Sequence, residues 1–198
     1  MPLLALTLSY LFWGLFPVFW KQLVHISSAE ILFHRILWSF IFYGLTMIAI
    51  CFFSKRGKSE VLTGNFDSKL WLKLLASSTL VTGNWFLYIY AVNSGQILQG
   101  SLAYYISPLI AVVVGALFYR EPINKLSKWA LGFCALGVTI LTFGNSIFLG
   151  QSLQVPWLAL SLAITFSGYG LIKKTISIPA ITSSFIEGLY FVLPSIYF

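Results

Sequence analysis

Seven apolar stretches follow one another along this chain, most of them close to 20 residues long and joined by short polar segments. A run of that length is what an α-helix needs to cross the roughly 30 Å hydrocarbon core of a bilayer. Hydrocarbon offers no partner for a bare peptide group, so helices and closed barrels are the only spanning structures. The stretches predict spans at 3–21, 30–53, 70–93, 97–119, 127–144 and 155–172, with a seventh opening near residue 182. The expected fold class is all-α, a polytopic helical membrane protein. The seventh run is still apolar at Phe198, which predicts that the chain is a fragment of a longer protein and that this last span is truncated.

Composition narrows the function classes. Of the 198 residues, 59% are hydrophobic and 9% charged, against roughly 25% charged in a soluble domain. That balance excludes a soluble globular enzyme, a disordered protein and a nucleic-acid-binding domain, so no nucleic-acid partner is expected. No basic stretch of the signal-peptide type precedes the first apolar run, which is expected to be a retained helix. Cys51 and Cys134 lie inside apolar runs and are too few for a disulfide framework.

The twelve Lys and Arg residues are unevenly placed. Lys55, Arg56, Lys58, Lys69 and Lys73 follow span two; Arg120, Lys125 and Lys128 follow span four; Lys173 and Lys174 follow span six. Only Lys21 and Arg35 fall on the other side, a ratio of ten to two. Basic residues concentrate in cytoplasmic loops, so the N-terminus is expected to be cytoplasmic.

A shift of 154 residues lays span one on span six: Leu4, Ala5, Leu6, Leu8, Phe12 and Gly14 meet Leu158, Ala159, Leu160, Leu162, Phe166 and Gly168. A repeat unit of five spans is odd, so the second unit inserts upside down. Inverted repeats of that kind belong to secondary transporters, with the solute site near the midplane between the halves. The expected division is a first five-helix unit over 1–145 and the start of a second over 146–198. A complete protein of this design has about ten spans, five in each unit.

Charges and amides within the spans are the candidate site residues, because polar groups in hydrocarbon are expensive and mark function by default. Glu30, His34 and Arg35 open span two, with Glu30 and His34 on one helix face. Arg35 is read either as a snorkelling cation paired with Glu30 or as a polar group at the non-cytoplasmic mouth of a cavity. His34 is read as a satisfied polar side chain or as a group titrating near neutral pH. Glu187, a few residues into span seven, is either a cation- or proton-binding acid or a structural partner for Lys173 or Lys174. Asn84, Trp85 and Tyr88 share span three, where Asn84 is either an interhelical hydrogen-bonding group or a cavity-lining amide. Tyr104 and Pro108 lie in span four beside a stripe of small residues, Ala103, Ser107, Ala111 and Gly115, that permits close packing. Trp13 and Pro17 in span one and Ser167 and Tyr169 in span six occupy corresponding places in the two units. Helix interruptions are expected there, since paired interruptions are the sequence pointer to a transporter site. Two histidines without an acidic cluster predict no metal site, and nothing in the chain calls for a cofactor.

Several of these segments are specific as well as suggestive. They are Trp13-Gly-Leu-Phe-Pro17, Glu30-Ile-Leu-Phe-His-Arg-Ile-Leu-Trp-Ser39, Gly83-Asn-Trp85, Ala91-Val-Asn93, Ser101-Leu-Ala-Tyr-Tyr-Ile-Ser-Pro-Leu109, Glu121 and Phe166-Ser-Gly-Tyr-Gly-Leu171. With them, the chain resembles the RarD-type branch of the EamA transporters in the drug/metabolite transporter superfamily, and Glu187 resembles the acid that opens that family's seventh span. The resemblance implies a ten-span bacterial inner-membrane protein of two inverted five-span units that moves small organic solutes by alternating access. Tyr119-Arg-Glu-Pro122 departs from the more usual Leu-Gly-Glu-Arg of the family. The expected partners are a small-molecule solute and the lipid bilayer, with a proton as candidate coupling ion and a homodimer as candidate assembly. The alternatives are a membrane-embedded enzyme, for which no clustered nucleophile and base or paired Asp is visible, and a passive channel subunit. The expected cavity lies between spans one, three, four and six, with Arg35 and His34 towards the outer mouth and Glu187 towards the inner one.

Overall fold

The computed structural model describes residues 2–54, 57, 61–120, 122–150, 152 and 155–197. Among them are seven helices and no strand: α1 (Pro2–Lys21), α2 (Ser28–Phe53), α3 (Ser68–Asn93), α4 (Ile97–Phe118), α5 (Lys125–Leu149), α6 (Trp157–Lys174) and α7 (Ala180–Tyr197). Lys55, Arg56, Lys58 and Glu121, which entered the charge count and the family resemblance, lie outside the described residues.

Caps set several of the helix starts. Ser27 Oγ accepts from the Glu30 amide (3.2 Å), Asp67 Oδ1 from the Leu70 amide (2.8 Å) and Asn124 Oδ1 from the Ser127 amide (2.7 Å). Each satisfies a donor that the first helical turn leaves open. These caps begin α2, α3 and α5 two residues before the apolar runs alone suggest. At its other end α5 continues to Leu149 and stops at Gly150, whose φ of 64° lies in the left-handed region. The span expected to end at 144 is therefore too short, because Asn145 and Ser146 break the apolar run without breaking the helix. The expected interruptions in spans one and six are also absent: α1 runs unbroken across Pro17 and α6 across Gly168 and Gly170. A proline removes one backbone bond from a helix, and the remaining ladder carries the helix through.

Among the described residues four helices are long and apolar enough to cross a membrane: α1, α2, α4 and α5 up to Gly144. The other three, α3, α6 and α7, are more polar for a physical reason. They hold the buried polar side chains Ser77, Ser78, Ser167, Thr182, Ser183, Glu187 and Ser195, of which Ser77, Ser78, Ser183 and Glu187 meet in one network with Lys173.

The hub is α3, which packs against α1, α2, α4, α6 and α7. The most extensive pairings are α2 with α7, α4 with α6 and α3 with α6. Phe40 and Phe185 stack between α2 and α7 with ring centroids 4.6 Å apart, beside Gly44 and Gly188. Small residues let α4 and α6 approach closely, as the stripe Ala103, Ser107, Gly115 predicts: Ser167 Oγ donates to the Ser107 carbonyl at 3.1 Å. At the rim, α1 and α5 keep most of their apolar side chains uncovered, the faces that hydrocarbon solvates in a membrane protein.

Candidate functional site

A cavity of about 340 Å³ opens between α2, α3, α6 and α7. One wall carries Arg35, Ser39 and Tyr43 of α2; the facing walls carry Ser78, Thr82 and Trp85 of α3, Tyr169 of α6, and Ser184 and Glu187 of α7. Arg35 and Glu187 each stand seven residues into their helices, and the two helices enter from opposite ends. At 1.5 Å per residue each charge lies about 10 Å deep. Depth from both sides brings the two charges to the lining of one cavity.

The two charges are held differently. Glu187 is buried in a tight network. Its Oε1 accepts from Ser77 Oγ at 2.5 Å and from Lys173 Nζ at 3.0 Å, and Lys173 Nζ also donates to Ser183 Oγ at 2.5 Å. Ser78 Oγ donates to the Glu187 carbonyl at 2.6 Å. Three helices, α3, α6 and α7, thus converge on one carboxylate, and the Lys173–Glu187 pair is the ion pair seen among the described residues. Arg35 is instead laid over the Trp85 ring, its guanidinium carbon 3.4 Å from the centroid. No ion pair joins it to Glu30 among the described residues. Tyr169 sits between the two, near enough to feel both Glu187 and Arg35.

An aromatic cluster closes the end of the cavity near Arg35. Trp13, Phe16 and Trp20 of α1 meet Trp85 and Tyr88 of α3, with Trp13–Trp85 and Trp20–Trp85 centroids 5.2 and 5.6 Å apart. Tyr88 meets Tyr104 edge-on at 5.9 Å, and Trp13 Nε1 donates to Tyr104 Oη at 3.0 Å. Edge-to-face geometry of this kind is the favoured one for aromatic pairs. Beyond Trp13 and Phe166, which line both spaces, a larger cleft of about 1030 Å³ opens between α1, α4 and α6, bordered by Tyr104, Pro108 and Ser167.

The remaining candidates fall elsewhere. His34 is exposed and lines the groove between α1 and α2. Adjacent residues on a helix point about 100° apart, so its neighbour Arg35 reaches the cavity and His34 does not. Asn84 bridges to α6: its Nδ2 donates to the Leu162 carbonyl and to Thr165 Oγ1, both at 2.9 Å. Pro17 is half-buried within α1. Among the described residues no three His, Cys, Asp or Glu side chains gather into a metal-binding group.

The hydroxyl residues of the cavity were missed by sequence reasoning, although a signal existed. Arg35, Ser39 and Tyr43 recur every four residues on an otherwise apolar helix. Ser78, Thr82 and Trp85 follow a spacing of four and three. Such stripes lie on single helix faces and mark the side turned from lipid.

The EamA-like transporter family matches residues 1–143. The chain belongs to that family. It is 41% identical over 175 residues to the uncharacterized transporter YojE of Bacillus subtilis (strain 168), covering 87% of this chain and 55% of that protein. It is 38% identical to an uncharacterized transporter of Vibrio cholerae, covering 98% of this chain and 59% of that one. With protein RarD of Escherichia coli (strain K12) the identity is 35%, over 95% of this chain and 59% of RarD. The chain thus spans somewhat more than half the length of these relatives. No solved structure matches it. Family and helices together make this a multi-pass membrane protein of the RarD type.

Proposed function

We propose that this chain supplies the greater part of a secondary transporter that moves small organic solutes across the bacterial inner membrane by alternating access. The observation that carries the reading is the cavity itself. It places Arg35, Glu187, five aromatic rings and a set of hydroxyls deep between helices of an EamA-family protein. Polar groups in hydrocarbon face cavities and pathways. The solute rests between the Arg35–Trp85 wall and the Tyr169–Glu187 wall. Trp13 and Phe166 separate it from the larger cleft, so movement of α1 against α6 opens or shuts that side.

In this reading residues 1–145 form one five-helix unit and 146–198 begin a second, inverted one within a ten-span protein. The relatives, for which this chain accounts for 55–59% of the length, leave room for the rest. The basic end of the bundle faces the cytoplasm. There Lys73 Nζ donates to the Thr175 carbonyl (3.2 Å) and Tyr119 Oη to the Leu171 carbonyl (2.9 Å). The N-terminus lies on that side as well. Glu187 is the candidate proton relay, since the network around it joins three helices.

Sequencing the reading frame past the codon for Phe198 tests the ten-span arrangement. About three more apolar spans are expected, and a stop codon there removes it. Solute counterflow into proteoliposomes tests transport: uptake saturates, and Ser39→Trp, which fills the cavity, abolishes it. Linear, unsaturable flux points instead to a channel. If Glu187 relays protons, Glu187→Gln flattens the pH dependence of uptake; an unchanged pH profile removes that role.

A further inference from the structure

The cavity carries an unbalanced charge. Its lining holds Arg35 and Glu187, and Lys173 neutralises Glu187 from behind. One positive charge is left over, on Arg35. We infer that the cavity selects organic monoanions: a solute with a single carboxylate, bound by Arg35, on an apolar or aromatic body. This rests on reading the cavity as the solute site and names the class of solute it takes.

The state of Arg35 supports the inference. Its ring contact with Trp85 fixes the plane of the guanidinium and occupies one face. The in-plane N–H groups remain, and no hydrogen bond or ion pair engages them among the described residues. A guanidinium has five donors in a rigid fork that fits a carboxylate with two parallel bonds. Charge at that depth in a membrane is disfavoured unless paired. Lys173 and Glu187 neutralise each other; Arg35 has the Trp85 face and the nearby Tyr43 and Tyr169, but no counter-charge among the described residues.

A cationic solute fits poorly. It meets Arg35 directly, and the one carboxylate in the lining is already neutralised by Lys173 through Oε1. A zwitterion meets the same obstacle at its ammonium end. A neutral solute leaves the guanidinium unpaired. The body of a carboxylic acid, by contrast, has Trp13 and Phe166 beside it, and Ser39 and Thr82 can donate to its second oxygen. The volume of about 340 Å³ lies at the small end of ligand pockets, which suits metabolites of one ring or a short chain.

The experiment is calorimetric binding to the full-length protein in lipid nanodiscs. The probes are benzoate, 3-phenylpropionate and indole-3-acetate, each beside its amide, with 2-phenylethylamine as the cation. At least one carboxylate is expected to bind, with its amide and the amine weaker by about tenfold or more, the loss expected for a charged hydrogen-bonded pair. Arg35→Gln loses the same factor, Arg35→Lys recovers part of it, and Lys73→Gln, a cation outside the cavity, leaves binding unchanged. Amides or the amine binding as tightly as the carboxylates overturns the inference, as does failure of all three carboxylates to bind or full retention of binding in Arg35→Gln. The panel on the unaltered protein decides the matter even where Arg35→Gln does not fold. Counterflow with the same compounds separates this inference from the transporter reading. Saturable flux of the amine or amides alone leaves the transporter and removes the anion. Carboxylate binding without flux keeps the anion site and removes the transporter.

Discussion

Arg35 and Glu187 enter one cavity from opposite ends of the bundle, and their surroundings differ in kind. Glu187 is knotted to Ser77, Lys173 and, through Lys173, to Ser183. Arg35 leans on one indole ring. A buried charge whose partners are all protein groups holds helices together. A charge left with open donors is stable in hydrocarbon only when something arrives to meet it. The difference assigns the two walls separate duties, one of assembly and one of recognition, and substitutions can test whether that division is real.

The largest effect is expected at the assembled wall. Replacing Glu187 by Leu leaves Lys173 without its counter-charge and Ser77 with the Leu74 carbonyl alone as acceptor. Breaking a buried pair from one side costs about 3–5 kcal/mol. Lys173 keeps 24% of its side-chain exposure, so about 2–3 kcal/mol is expected here. Unfolding in mixed micelles measures it. The double variant Lys173→Met with Glu187→Leu is expected to regain most of the loss, because a pair of apolar side chains replaces a satisfied ion pair at little cost. A double variant as unstable as the single one shows that the carboxylate does more than pair.

Arg35→Met sharpens the contrast. It removes one cation–π contact, worth about 0.5–2 kcal/mol, and relieves a charge without a counter-ion. Little net change in stability is expected in the same micelle measurement. A loss as large as that of Glu187→Leu makes Arg35 a structural group and erases the division between the walls.

The division was only partly legible beforehand. Apolar run length located the seven long helices of the described residues, because hydrocarbon permits little else, and errors at the ends trace to local groups such as the Asp67 cap and the Gly150 stop. The charges themselves stood out as costly residues in apolar runs. Their meeting did not, because depth measured from each helix end says nothing of which helices pair. Only the pairing of α2 with α7 brings Arg35 and Glu187 to one space. His34 illustrates the same limit at shorter range. Its proximity to Arg35 along the chain suggested a joint role; both border the groove against α1, but the turn of about 100° between them leaves Arg35 alone reaching the cavity.

A third substitution probes the seam between cavity and cleft. Tyr104→Phe keeps the ring against Tyr88 and deletes the hydroxyl that accepts from Trp13 Nε1. About 1 kcal/mol of stability is expected to go with that bond, and the α1 side of the cavity loosens while the Glu187 network stays intact. Trp fluorescence shifted to the red in Tyr104→Phe, with unfolding lowered slightly, is the expected signature. An unshifted spectrum shows that ring packing alone fixes Trp13.

Two opposed and modest effects are expected at the basic end. Arg120 is the residue just past the end of α4, and its φ of 53° is left-handed. That position after a helix favours glycine, since any Cβ there is strained. Tyr119, one step earlier, compensates. Its hydroxyl donates to the Leu171 carbonyl of α6, and its ring lies under Lys174 at 4.9 Å. Arg120→Gly is therefore expected to stabilise the protein by about 0.5–1 kcal/mol, and Tyr119→Leu to destabilise it by about 1 kcal/mol. The two together should nearly cancel, because residues that close one turn trade backbone strain against an anchor to the next helix. A double variant whose stability falls well below the sum of the single effects shows that the anchor works only while the left-handed turn aims Tyr119 at α6.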